Sequence, residues 1–350
     1  MATSPTRPPI TVETLVRGSR RAAAAEGPPD PLVADAPRPA VTIVLPIREY
    51  ASTREYVFTT RERDALHNGT MLRDETVDKI GQLLMSLHCS EREAGVTWLM
   101  PSATVGMILG GYSADRSGVG GGVRPATDAR WASDPSEAFH SSICRNTAST
   151  SPFKMETVFL PIVTGQHWIL AVLCGLPGLL KDLHLEAAKT EVVTGRRRLD
   201  AAAVKRGRLH RCQLLMFDSA VGFCNHEHVA ASVRAWLLEE FRWRHTGVPP
   251  NRPLLARFLG GVVLWTLVHT GPQATGSLTC GAFVLEALHT WLVTSAGKRA
   301  ALLGKVWDSH KGDGRDWVLG EDAGPRFLKW MTTFLDASTS LPVDGSVVAV

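Results

Sequence analysis

Hydrophobic residues in the second half of the chain fall into two spacings. Glu156 to Ile162 and His167 to Leu173 are short, nearly continuous apolar runs separated by the turn residues Thr164-Gly165-Gln166. This predicts two neighbouring strands joined by a short link, the second of them buried. Gln213 to Ser219 is a third such run, ending in the carboxylate of Asp218, and Val262 to Val268 is a fourth. Val229, Val233, Trp236, Leu237 and Phe241 instead recur at helical spacing, as do Phe283, Val284, Ala287, Leu288, Trp291 and Leu292. Each set predicts an amphipathic helix with one buried face. Phe327 to Met331 predicts a short terminal helix. In the first half, Val77, Ile80, Leu83 and Leu84 form the apolar face of a helix with Asp74 as its expected N-cap. Val96 to Met100 reads as a short strand, and an amphipathic piece runs through Ile108 and Leu109. The second half is thus strand, strand, strand, helix, strand, helix, an α+β pattern without internal repeat.

Composition changes this picture mainly at the margins. Residues 1–50 are rich in Pro, Ala, Arg and Ser and are expected to form a disordered arm, with Val41 to Ile47 able to serve as an edge strand or docking segment. Residues 51–338 are expected to form one domain, and 339–350 a loose tail. Gly110, Gly111, Gly118, Gly120, Gly121 and Gly122 predict a loop over about 110–127. Between about 176 and 211, Lys181, Lys189, Arg196, Arg197, Arg198, Lys205, Arg206, Arg208 and Arg211 interrupt the apolar pattern. They read as a basic surface insertion, either solvated or a docking patch for an acidic protein or nucleic acid. A net charge of +4 argues for neither nucleic acid nor membrane as a partner, and the longest apolar run, Trp168 to Leu176, is about half a membrane span. Six scattered cysteines have no disulfide-framework spacing, and the first residues lack an apolar signal core. An intracellular setting, nuclear or cytoplasmic, is therefore expected; a secreted effector acting in a host cell is the alternative.

Three residues suited to nucleophilic catalysis lie at element ends. Thr279 is the expected N-cap of the last long helix, which places Cys280 in its first turn. There the helix dipole and unpaired N–H groups stabilise a thiolate. His167 opens a buried strand and Asp218 closes the next one. A thiol nucleophile needs an imidazole to take its proton, and the imidazole needs a carboxylate to fix its tautomer. Gln273 offers a side-chain amide that, with the Cys280 N–H, is suited to hold an oxyanion. Trp168 would wall the cleft or fill the core. Cys212, Cys224, His226 and His228 are metal-ligand types, but Cys-x-His-x-His is not a standard zinc spacing, and no metal site is expected.

Taken together, Phe159-Leu160-Pro161-Ile162, His167-Trp168-Ile169-Leu170-Ala171-Val172, Phe217-Asp218-Ser219, Gly271-Pro272-Gln273 and Thr279-Cys280-Gly281-Ala282-Phe283 resemble the ubiquitin-like-protein protease family. That family comprises the SUMO-specific (sentrin-specific) cysteine proteases and their adenovirus-protease-like relatives. Met71-Leu72-Arg73-Asp74 is similar to the family's helix start, with Met71 where the family has Trp. The resemblance covers roughly residues 56–335. It implies a papain-like cysteine protease fold of the SUMO-protease type, with a central mixed sheet flanked by helices, and no cofactor. It further implies His167, Asp218 and Cys280 as triad, Gln273 as oxyanion residue, and Trp168, Asp74 and Gly281 as substrate-binding positions. The implied reaction is cleavage after the C-terminal glycine of a SUMO-like or other ubiquitin-like protein or its conjugates. Thr279 stands where the family has Asp, and Gln273 is one residue farther from the cysteine than in the family. Two other readings keep the fold: an acetyltransferase effector using the same thiol, and a catalytically silent module that binds ubiquitin-like proteins.

Overall fold

The computed structural model describes residues 40–47, 52–109, 150–164, 166–194, 212–220, 223–244, 252–269, 273, 277–308, 319–320 and 322–339. The glycine-rich stretch 110–127, the basic residues from Arg196 to Arg211, the first 39 residues and the last 11 lie outside them.

The chain divides into two compact units, one of residues 1–72 with 325–350 and one of residues 73–324. In the first, β1 (Val41–Ile47) pairs antiparallel with β2 (Ser52–Phe58), Val41 opposite Phe58 and Ile47 opposite Ser52. Val41–Ile47, the expected edge strand or docking segment of the arm, thus forms a separate two-stranded sheet with β2, with Ile43, Tyr56 and Phe58 buried. Helix α1 (Thr60–His67) follows behind a capping box in which Thr59 and Glu62 satisfy each other's backbone N–H groups. Arg63 of α1 donates to Asp336 at 2.6 Å.

The larger unit is built on a five-stranded sheet of order β3-β4-β5-β6-β7. These strands are Thr97–Leu99, Thr157–Thr164, His167–Cys174, Cys212–Asp218 and Val263–His269. The two central antiparallel junctions are flanked by parallel ones, β3 with β4 and β6 with β7, so the sheet is mixed. Every residue of β5 and β6 is buried, as their unbroken apolar runs require. The parallel β6–β7 pair needs a long crossover, which α6 (His226–Arg244) and α7 (Arg252–Val262) supply. On that face Ile169, Ala171, Leu173, Cys212, Leu214 and Met216 pack with Val233, Trp236, Leu237, Leu255 and Leu259. Opposite it, α8 (Cys280–Val293) lies against β5 and against α2 (Asp74–His88). The α+β class and the central mixed sheet flanked by helices are thus present.

Three local expectations change. Asp74 is the first residue of α2 rather than its cap, which is Arg73. Leu176–Thr194, within the expected basic insertion, is helix α5, and its Leu176, Leu179 and Leu183 are in the core. The terminal helix extends over Ala323–Thr339.

Asp78 of α2 accepts from the Ser102 N–H at 3.0 Å and the Ser102 hydroxyl at 2.9 Å. Ser102 opens α4 (Ser102–Ile108), whose N-cap, Pro101, contributes no side-chain cap. Asp78 therefore caps this buried helix start from a neighbouring helix. Asp78→Ala should lower stability by about 1–2 kcal/mol in chemical denaturation, the cost of a lost cap. An unchanged midpoint would show that α4 needs no such cap.

Candidate active site

Antiparallel register sets the site. Leu170 pairs with Phe217 and Val172 with Leu215, so the start of β5 and the end of β6 share one end of the sheet. His167 opens β5, and Asp218 ends β6. Their side chains meet there: His167 Nε2 lies 2.7 Å from Asp218 Oδ1. Cys280 begins α8, and its Sγ is 3.9 Å from the Gln166 carbonyl, in the turn that precedes His167. The Cys280 thiol and the His167 ring also act on each other electrostatically, each favouring the other's charged form. The structure thus brings the three residues together at one sheet end.

The electrostatics follow from that contact. Burial alone would push His167 down, but its bonds to Asp218 and Cys280 prevail and raise it to about 9. Burial likewise pushes the Cys280 thiol up; the bond with His167 and the backbone N–H groups of Trp168 and Gly281 outweigh it and hold the thiol below its ordinary value. Asp218 is 1% exposed. Burial opposes its charge, yet hydrogen bonds from His167, His226 and the Ala220 N–H keep it well below the usual carboxylate range. The arrangement favours a thiolate–imidazolium pair over a neutral thiol and imidazole.

The other expected positions divide. Gly281 lies in the first turn of α8 and contributes its N–H to Cys280. Trp168 is 1% exposed and offers a substrate no side-chain surface; alternation along β5 sends it into the core, and its part in the site is its backbone N–H. Asp74 is exposed in the first turn of α2. Gln273 is tied to the Asp218 strand end: its N–H donates to the Ser219 carbonyl at 2.8 Å, and its Oε1 accepts from the Ser219 hydroxyl at 3.1 Å. Its Nε2 donates to the Ser277 carbonyl. Thr279 precedes α8 but makes no side-chain cap, because its hydroxyl bonds to Ser277 at 2.7 Å.

One residue of the site was grouped elsewhere by its type. His226 Nε2 lies 2.8 Å from Asp218 Oδ2, with its ring stacked on Trp265 at 6.1 Å. The signal for it was Asn225, whose side chain accepts from the His228 N–H at 3.0 Å and caps α6. That cap puts His226 at the first helical position, directly beyond the loop from Asp218. Cys212 begins β6, about 20 Å of strand away from the Asp218 end, so Cys212, Cys224, His226 and His228 do not converge. Among the described residues no group of three or more His, Cys, Asp or Glu is arranged to hold a metal ion.

Comparison with known proteins gives structural likeness only. A de-sumoylating protease matches 86% of this chain and 93% of its own, at 12% identity and a TM-score of 0.49. The SUMO protease Ulp1, with its catalytic cysteine oxidised to a sulfenic acid, matches 81% and 83%, at 14% identity and 0.38. The Xanthomonas campestris effector XopD bound to ubiquitin matches 76% and 90%, at 15% identity and 0.35. No family model matches the chain, and no curated protein does. The site's geometry stands independently of these likenesses.

Burial raises Cys89 to about 11 and Cys174 and Cys224 to about 12, whereas Cys280 is lowered. At neutral pH, iodoacetamide should therefore modify Cys280 before those three, as read by peptide mass spectrometry. The rate should fall in acid as the thiolate is protonated, and His167→Ala should slow it at neutral pH. Equal labelling of Cys280 and Cys89 would contradict the ion pair.

Proposed function

We propose that this chain is a cysteine peptidase that cleaves the peptide or isopeptide bond after the C-terminal glycine of a SUMO-like or other ubiquitin-like protein. The observation that carries the reaction class is the buried Asp218–His167 bond at 2.7 Å, with the Cys280 thiol at the same sheet end, 3.9 Å from the carbonyl of Gln166 beside His167. The substrate class is supported by the sequence resemblance around His167-Trp168, Asp218-Ser219 and Cys280-Gly281.

In the reaction, the Cys280 thiolate attacks the glycine carbonyl and the His167 imidazolium protonates the departing amine. Water, deprotonated by His167, then hydrolyses the thioester. The Cys280 N–H, at the start of a helix, is the donor that would stabilise the oxyanion. Gln273 Nε2 carries two hydrogens; one goes to Ser277, and the second is the one the oxyanion would take. An assembled thiol–imidazole–carboxylate set favours this reading over a silent binding module.

SUMO, NEDD8-type and ubiquitin probes carrying a thiol-reactive C-terminal warhead test it. One probe should add its mass to the wild type and fail with Cys280→Ala. No adduct with any of them, in folded protein, would overturn the substrate class. Cleavage of the matching substrate should be abolished in Cys280→Ser, and Asp218→Ala should cost less than His167→Ala, as loss of an orienting carboxylate does. Equal turnover by wild type and His167→Ala would remove His167 from the site.

A further inference from the structure

The Asp218 carboxylate is held by two imidazoles rather than one. Oδ1 accepts from His167 at 2.7 Å and from the Ala220 N–H at 2.8 Å, while Oδ2 faces His226 at 2.8 Å. The Asp218 side chain is fully buried, and that of His226 is 11% exposed. A buried carboxylate with only one oxygen engaged could turn about its last torsion, which is soft, and lose its alignment with His167. His226 removes that freedom. Its own placement is fixed twice over, by the first turn of α6 capped by Asn225 and by stacking on Trp265 of β7. Its charged or titratable surroundings include Asp218, the half-buried Cys224, and Glu227 and His228 of its own helix.

We propose that His226 is a positioning residue for Cys280 chemistry: it locks Oδ2 of Asp218 so that Oδ1 stays directed at His167 Nε2. The site is then a line of four side chains, His226, Asp218, His167 and Cys280, the first never touching substrate. This inference rests on the catalytic reading of Cys280 but not on which protein is cleaved.

Two substitutions separate the hydrogen bond from the packing. His226→Phe keeps an aromatic ring on Trp265 but cannot donate to Asp218. His226→Gln gives up the ring and keeps an N–H donor. The readout is the rate of Cys280 alkylation by iodoacetamide at pH 7, followed on the Cys280 peptide in the 350-residue chain, its fold checked by circular dichroism. His226→Phe should slow alkylation by about tenfold, because an imidazole without its aligned carboxylate no longer holds Cys280 as the thiolate. His226→Gln should recover most of that loss. In an Asp218→Ala background, His226→Phe should add nothing, since the group it orients is gone. Wild-type alkylation in His226→Phe would overturn the proposal, as would equal impairment of the Phe and Gln variants or full additivity with Asp218→Ala. Should His226→Phe fail to fold, His226→Gln and Asp218→Ala still decide: a Gln variant as slow as Asp218→Ala would overturn it. Because alkylation needs no protein substrate, this pattern can hold even if every ubiquitin-like probe is refused, and it can fail while one is cleaved.

Discussion

A single buried charge organises this site. Asp218 sits at 1% exposure at the end of a strand with no exposed residue, where an unpaired carboxylate would cost several kcal/mol. Its negative charge persists because donors converge on it from three directions: His167 at the start of β5, His226 at the start of α6, and its own loop through the Ala220 N–H. Each donor commits the element that carries it. The β5–β6 register, the return of α6 over the sheet and the tight loop after β6 are all tied to one carboxylate.

The same charge reaches the thiol indirectly. Asp218 favours the imidazolium of His167, and the imidazolium favours the thiolate of Cys280, which also gains N–H contacts from Trp168 and Gly281. Ser219, the next residue along, extends the influence to the loop before α8 by bonding both the backbone and the side chain of Gln273. The dipeptide Asp218-Ser219 thus links His167 to Gln273.

Much of this was legible in the sequence, and the exceptions have physical causes. The strands declare themselves because both faces are buried, leaving unbroken apolar runs such as Leu214-Leu215-Met216-Phe217. The beginning of α5 was hidden by the cationic residues that follow it: Leu176, Leu179 and Leu183 are a helical stripe, but Lys181 and the later basic residues suggested surface. Helix α7 carries its stripe in Leu255 and Leu259 directly before a strand, where a helical and an extended apolar run merge. The residue types of the site could be read from their positions at element ends. Their convergence depends on strand register, and the role of His226 depends on where a helix start lands relative to a strand end. Residue type alone makes His226 resemble a metal ligand; its place at the start of α6 makes it a hydrogen-bond partner of Asp218.

The central claim is that Asp218 and Cys280 together hold His167 as an imidazolium well above the ordinary histidine range. Titrating the His167 ring by nitrogen-15 NMR measures this directly, in wild type and in Cys280→Ala. Protonation retained to about pH 9 in the wild type, with a lower midpoint in the variant, is the result the ion pair predicts. A His167 midpoint near the ordinary 6.5, unmoved by loss of the thiol, would contradict it.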